Sequence, residues 1–363
     1  MGIRLVATVT ATSLLALTTV GVASADTSSV DRKVVQQALD QITQSGAALG
    51  VQARVTDGRQ RFTAGSGTAE LNSDRPVPQN GRYRVGSITK TFVSTVTLQL
   101  AGEGKVDLDA PVVRYLPGLI DGRITVRQVL QHTSGLFNYT NALPLSPDEF
   151  EQIRYKNWSP QELLALSTSK PLDFEPGTQW NYSNTNYVVA GLLIEKITGN
   201  PYEKAVEQRI LKPLRLNDTE VPGGKVGISG PHARAYWTVA GKPSEITRLN
   251  PSVAWAAGEM ISTTRDLDTF VTALSSGKLL KPAQQQEISK TTAVSPEYGL
   301  GLQVQTLPCG TKVWGHGGGI PGYSSEMMTT PDSKKRFELN ATSGPTEGNP
   351  GGAFTKLLTE VFC

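Results

Sequence analysis

Residues 86–101 read GSITKTFVSTVTLQLA, and this stretch decides the fold. Apolar residues from Ile88 to Leu100 are interleaved with Thr, and the run stops at Gly102 and Gly104. This pattern predicts a helix over 87–101, apolar enough to be buried where two lobes meet. At its start Ser87 and Lys90 stand three apart and share one face. Ser87 would lie at the positive end of the helix. An apolar setting depresses the pKa of an ammonium such as Lys90, and an amine of that kind turns a weak hydroxyl nucleophile into a useful one. S-x-x-K also occurs at Ser167/Lys170 and Ser275/Lys278. Those copies fall at helix ends, the first before Pro171 and the second across Gly277.

Working outward, residues 29–43 read as a helix, and 50–55 and 60–65 as strands joined by a turn at Asp57-Gly58. The middle is helical in pattern, with helices expected over 124–131, 160–166, 186–197 and 266–274. Strand-like runs follow at 298–307, 311–315, 323–330 and 336–342, then a closing helix at 352–362. The expected class is α+β: one antiparallel sheet flanked by terminal helices, with an inserted, mostly helical lobe. The α/β lobe would comprise about 26–85 and 290–363 and the helical lobe about 86–289, with the cleft between them as the site of chemistry.

Several hydrolase and nucleotide-binding patterns are missing. There is no G-x-S-x-G, no H-E-x-x-H and no phosphate-binding G-x-x-x-x-G-K-[ST]. His132, His232 and His316 are too dispersed to argue for a metal, and no cofactor is expected. Tyr-x-Asn occurs at 139–141 and 182–184. The second copy follows a Pro176-Gly177 turn and runs straight into a helix, the kind of tight loop that delivers side chains to a cleft.

Three ordered motifs carry a resemblance. Gly86-Ser87-Ile88-Thr89-Lys90, the stretch from Pro176 to Asn184, and His316-Gly317-Gly318 resemble the penicillin-recognising serine hydrolases. Within them the closest look is to secreted DD-carboxypeptidases, D-aminopeptidases and D-stereospecific amidohydrolases related to class C β-lactamases. The segments 124–130, 132–136 and Ala257-Gly258 are also family-like. The resemblance implies a β-lactamase/DD-peptidase-like fold and a catalytic set of Ser87, Lys90, Tyr182 and His316. Ser87 would be acylated and Lys90 would assist removal of its proton. Tyr182 would act as general base and acid; which of Lys90 and Tyr182 takes the proton first stays open. Asn184 would bond the acyl-side amide, His316 would support Tyr182, and Trp255 would wall the cleft. The N–H groups of Ser87 and Gly319 would form the oxyanion hole.

The chain also departs from the family. Where DD-carboxypeptidases of this type hold a terminal carboxylate with an Arg and two hydroxyls, it carries Gln303, Gly317 and Gly319. A charge-assisted fork is lost, at a cost of several kcal/mol for a free carboxylate. Glu259, after Ala257-Gly258, is a candidate to receive a substrate ammonium. The expected substrates are therefore small peptides, amides or esters of a D-residue, with possible transfer of the acyl group to an amine and with β-lactams as covalent ligands. The alternatives are a D-Ala-D-Ala carboxypeptidase or transpeptidase, a slow β-lactamase, or a non-catalytic penicillin-binding module.

The 363 residues carry 35 Lys+Arg against 32 Asp+Glu, a net charge of +3 that gives no reason to expect a nucleic-acid partner. Arg4, an uncharged run from Leu5 to Val22 and Ala23-Ser24-Ala25 read as an export signal cleaved after Ala25. A secreted monomer without a stable membrane anchor is expected. In an exported chain the two cysteines, Cys309 and Cys363, are better read as a disulfide than as free thiols.

Overall fold

The computed structural model describes residues 29–344, 346 and 348–363; the export segment lies outside them. The early hairpin forms as patterned. Strand β1 (Gly50–Asp57) pairs antiparallel with β2 (Gln60–Gly67) around a tight turn in which Gly58 takes φ +56°. The chain returns to the same sheet only near its end, as β3 (Gln303–Thr306), β4 (Lys312–Ile320), β5 (Tyr323–Thr329) and β6 (Lys335–Thr342). The strand order is β2-β1-β6-β5-β4-β3, with every neighbouring pair antiparallel.

Because β1 and β6 are central, both of their faces are covered. On one face α1 (Arg32–Gln44) packs against the terminal helix Ala353–Phe362, so that Val35, Leu39, Leu357 and Val361 meet Val51, Val55 and Leu339. On the other face lies the helix Thr264–Ser275, and beyond it α2 (Thr89–Gly102), buried on nearly every side. Its hydroxyls are satisfied within that core: Thr95 and Thr97 donate back to the carbonyls of Thr91 and Val93, and Thr91 donates to Gly301 O at 2.8 Å. α3 (Thr185–Thr198) packs against α2, which explains the apolar run Tyr187–Ile194.

Two expectations need correction. The helix Thr264–Ser275, grouped on sequence with the helical lobe, packs on β1, β5 and β6, with Phe270 stacked on Phe92 at 3.6 Å between centroids. Strand β4 does not stop at Gly315 but runs through three further glycines to Ile320. At two of the β4 glycines the neighbouring backbone leaves no room for a side chain. A Cβ at Gly315 would fall 1.9 Å from Met327 O, and one at Gly318 1.9 Å from Val85 O. The short helices Pro147–Ile153 and Pro282–Ile288 and the hairpin Tyr236–Val239/Lys242–Glu245 add to the predicted elements.

Cys309 and Cys363 form a disulfide with Cα atoms 5.9 Å apart, tying the β3–β4 turn to the last residue. It closes a loop with a sequence separation of 54. Reduction is expected to lower stability by about 4 kcal/mol in the chain-entropy account. A denaturant midpoint that does not move under reductant would contradict this. Among the described residues no helix is long and apolar enough to cross a membrane.

Candidate active site

Val85 leads out of a short strand pair into a single 3₁₀ turn, Gly86–Ile88, that sets Ser87 at the mouth of α2. Gly86 has φ +52°, and a Cβ there would lie 2.6 Å from Gly319 N. Only glycine lets the turn come this close to β4, and Ser87 and Gly319 border the same cavities.

Lys90 is fully buried, and among the described residues no carboxylate pairs with it. Its Nζ lies 3.0 Å from Ser87 Oγ, 2.8 Å from Asn184 Oδ1 and 2.7 Å from Ala257 O. Burial holds its pKa well below the ordinary lysine value. Two of its three partners are carbonyl oxygens, which only accept. A neutral amine gives its two N–H bonds to these and turns its lone pair to the Ser87 hydroxyl.

Tyr182 sits on the loop before α3, its ring 4.9 Å from Lys90 Nζ. Burial raises its pKa far above the ordinary value, and the neighbouring Ser87 hydroxyl offsets this only in part. In the resting site its hydroxyl is enclosed without a well-formed hydrogen bond. His316 is buried on β4. Its Nε2 is 2.9 Å from the Tyr298 hydroxyl and its Nδ1 2.5 Å from Gly317 O. A carbonyl only accepts, so the proton is on Nδ1 and Nε2 accepts from Tyr298. Burial, reinforced by Lys90, lowers the His316 pKa to about 3, so the ring is neutral. It stands 6.3 Å from the Tyr182 ring, centroid to centroid.

His132, Tyr187 and Tyr298 complete the site although sequence reasoning assigned them no role. His132 is left-handed at φ +62° and lies 4.2 Å from the Tyr182 ring. Its Nδ1 accepts from Ser183 N at 3.2 Å and from Asn186 Nδ2 at 3.1 Å, which fixes the loop that carries Tyr182. The one available signal was its place in the 132–136 segment.

Ser87 opens onto two adjoining cavities. The first, of 520 Å³, is bordered by Asn184 and Gly319 and walled by Tyr139, Phe150 and Trp237. The second, of 540 Å³, adds Tyr182, Gln303, His316, Gly317 and Glu326. The structure thus brings together Ser87, Lys90, Tyr182, Asn184, His316, Gln303 and Gly319. It does not bring two other candidates to the cleft. Trp255 is buried against Tyr202, 4.9 Å between centroids, and against Gly191, where a Cβ would lie 2.7 Å from its ring. Glu259 is fully buried behind α3, and its carboxyl accepts from the Tyr202 hydroxyl. Neither borders the two cavities, although Ala254, Ala257 and Gly258 beside them do.

Burial raises the Glu259 pKa to about 8. Its folded value thus lies above its unfolded one, so the fold holds the proton and the unfolded chain releases it as pH rises. The contribution of Glu259 to stability falls between about pH 4.5 and 8. Glu259→Gln is expected to flatten the dependence of Tm on pH across that window and to leave KM for a D-amino amide unchanged. A wild-type pH profile of Tm retained in the variant would contradict this.

A Ser–Lys–Tyr constellation at the junction of an antiparallel sheet and a buried helix defines a serine hydrolase. A model of the Beta-lactamase family matches residues 35–354, and the chain belongs to that family. It is similar to the D-stereospecific amidohydrolase from Streptomyces sp., at 44% identity over 92% of this chain and 99% of that one, with a TM-score of 0.83. It is also similar to the D-amino acid amidase from Ochrobactrum anthropi SV3 complexed with L-phenylalanine amide, at 28% identity over 91% and 97% of the chains, TM-score 0.79. Among curated proteins, penicillin-binding protein 4* of Bacillus subtilis is 29% identical over 74% of this chain. The match spans 62% of that relative's length.

Proposed function

We propose that this protein hydrolyses amides, esters and small peptides of D-amino acids through an acyl-Ser87 intermediate and passes the same acyl group to amines. One observation carries the choice among family activities: neither cavity beside Ser87 is bordered by a Lys or Arg. With Gln303, Gly317 and Gly319 at the leaving side, a substrate's free carboxylate has no counter-charge, which disfavours a D-Ala-D-Ala carboxypeptidase. The aromatic and apolar wall of the first cavity suits an apolar D-side chain. The likeness to the amidohydrolase and the amidase supports the same reading.

In the proposed reaction Ser87 Oγ attacks the carbonyl carbon while its proton passes to Lys90 Nζ. The N–H groups of Ser87 and Gly319 take up the charge on the carbonyl oxygen. As the C–N or C–O bond breaks, Tyr182 protonates the leaving group, and the Lys90 ammonium restores the Tyr182 proton. Asn184 orients Lys90 and meets the acyl side of the substrate. Water or an amine then attacks the ester by the reverse proton path. All of these groups belong to one chain, so a monomer suffices. The disulfide supports the reading of an extracellular enzyme.

The test compares D-Phe-amide and D-Phe methyl ester with L-Phe-amide and a diacyl-Lys-D-Ala-D-Ala peptide. Turnover of the D-Phe compounds is expected. Cleavage of only the D-Ala-D-Ala peptide would sink the proposal.

A further inference from the structure

The second cavity contains a carboxylate that the reaction above does not use. Glu326 stands on β5 directly opposite Gly317 of β4, so its side chain rises from the face where Gly317 and Gly319 present none. A Cβ on Gly317 would fall 2.9 Å from Glu326 Oε1, so the carboxyl lies over that glycine. The other oxygen, Oε2, is enclosed and has no hydrogen-bond partner. Burial pushes the Glu326 pKa up to about 7, and no neighbouring cation offsets this. A half-buried acid beside an open cavity with one oxygen unpartnered lacks a donor that a ligand can supply.

Its place decides which part of the ligand. The cavity that holds Glu326 also holds Tyr182 and His316, where the leaving group takes its proton; the other cavity holds Asn184 and the aromatic wall instead. Glu326 is two residues along the ladder from Gly319, roughly 7 Å at strand spacing, about one residue of substrate. We propose that Glu326 makes the leaving-group side of the cleft a subsite for amine-bearing, positively charged leaving groups and acceptors, and closes it to free carboxylates. This rests on the function proposed above and adds the charge of the group that departs or attacks.

The test measures kcat/KM for three D-Phe amides that differ only beyond the scissile nitrogen: the 2-aminoethyl amide (cationic), D-Phe-glycinamide (neutral) and D-Phe-Gly (anionic). The wild type is expected to prefer them in that order. Glu326→Gln is expected to shrink the cationic-to-anionic ratio by at least about tenfold, whereas Glu326→Asp keeps the order. Ratios are compared within one variant, so a partly unfolded preparation does not mimic the effect. A ratio in Glu326→Gln within twofold of wild type overturns the proposal. If the wild type cleaves none of these compounds, the proposed function has failed and the subsite is read from penicillin. Its carboxylate sits on the carbon bonded to the lactam nitrogen, hence on the leaving side. Glu326→Gln is then expected to accelerate covalent labelling of Ser87 at least fivefold, and an unchanged labelling rate overturns the subsite.

Discussion

Ser87→Ala is expected to lower kcat/KM for D-Phe-amide by about four to six orders of magnitude, the loss seen when a serine nucleophile is removed from a group that acts as a unit. The fold should be untouched. Ser87 is only half-buried, and its hydroxyl meets Lys90 and Tyr182, not the core. Two measurements separate nucleophile from bystander. Turnover should vanish, and intact-protein mass spectrometry should show a penicillin adduct on the wild type but not on the variant. A variant that keeps its rate or its adduct would place the nucleophile elsewhere.

Lys90→Arg is expected to be almost as inactive, with a loss of about 10²–10⁴, the range for removing a positioned general base. The argument is protonation. Burial lowers the Lys90 pKa well below the ordinary lysine value and so favours the neutral amine, which has a lone pair to offer Ser87. A guanidinium stays protonated and has no lone pair to offer, so the conservative change is not conservative. The pH profile checks the sign. Because the Lys90 pKa is lowered, activity should fall on the acid side as Lys90 takes a proton and level off above its depressed value. His316 would give no such limb near neutrality, since its pKa of about 3 keeps it neutral throughout. Activity in Lys90→Arg within tenfold of wild type would transfer the role of base to Tyr182.

Parts of this site were legible because they are local. Ser87 and Lys90 lie within one turn, so helical spacing alone puts ammonium and hydroxyl together, and the apolar run that follows announces the burial that tunes the lysine. The Tyr182–Asn184 loop was legible for a similar reason, a turn running straight into a helix. The two late expectations that failed share a cause. Glu259 was placed in the cleft from its nearness to Ala257-Gly258 in the chain, and Trp255 from the family resemblance. One or two residues of backbone are enough to turn from cleft to core, and there Tyr202 and Gly191 receive them.

The chain's own order of residues therefore determined the α+β class, the pairing of Ser87 with Lys90, and the disulfide partners, each set by short-range periodicity or by there being only two cysteines. The tertiary structure alone decided the rest. The glycines of β4 read as a loop until Val85 and Met327 are seen pressed against them. Glu326 reads as an ordinary strand residue until the register sets it over Gly317. Register and close approach join residues far apart in the chain, and no local pattern records which pairs will meet.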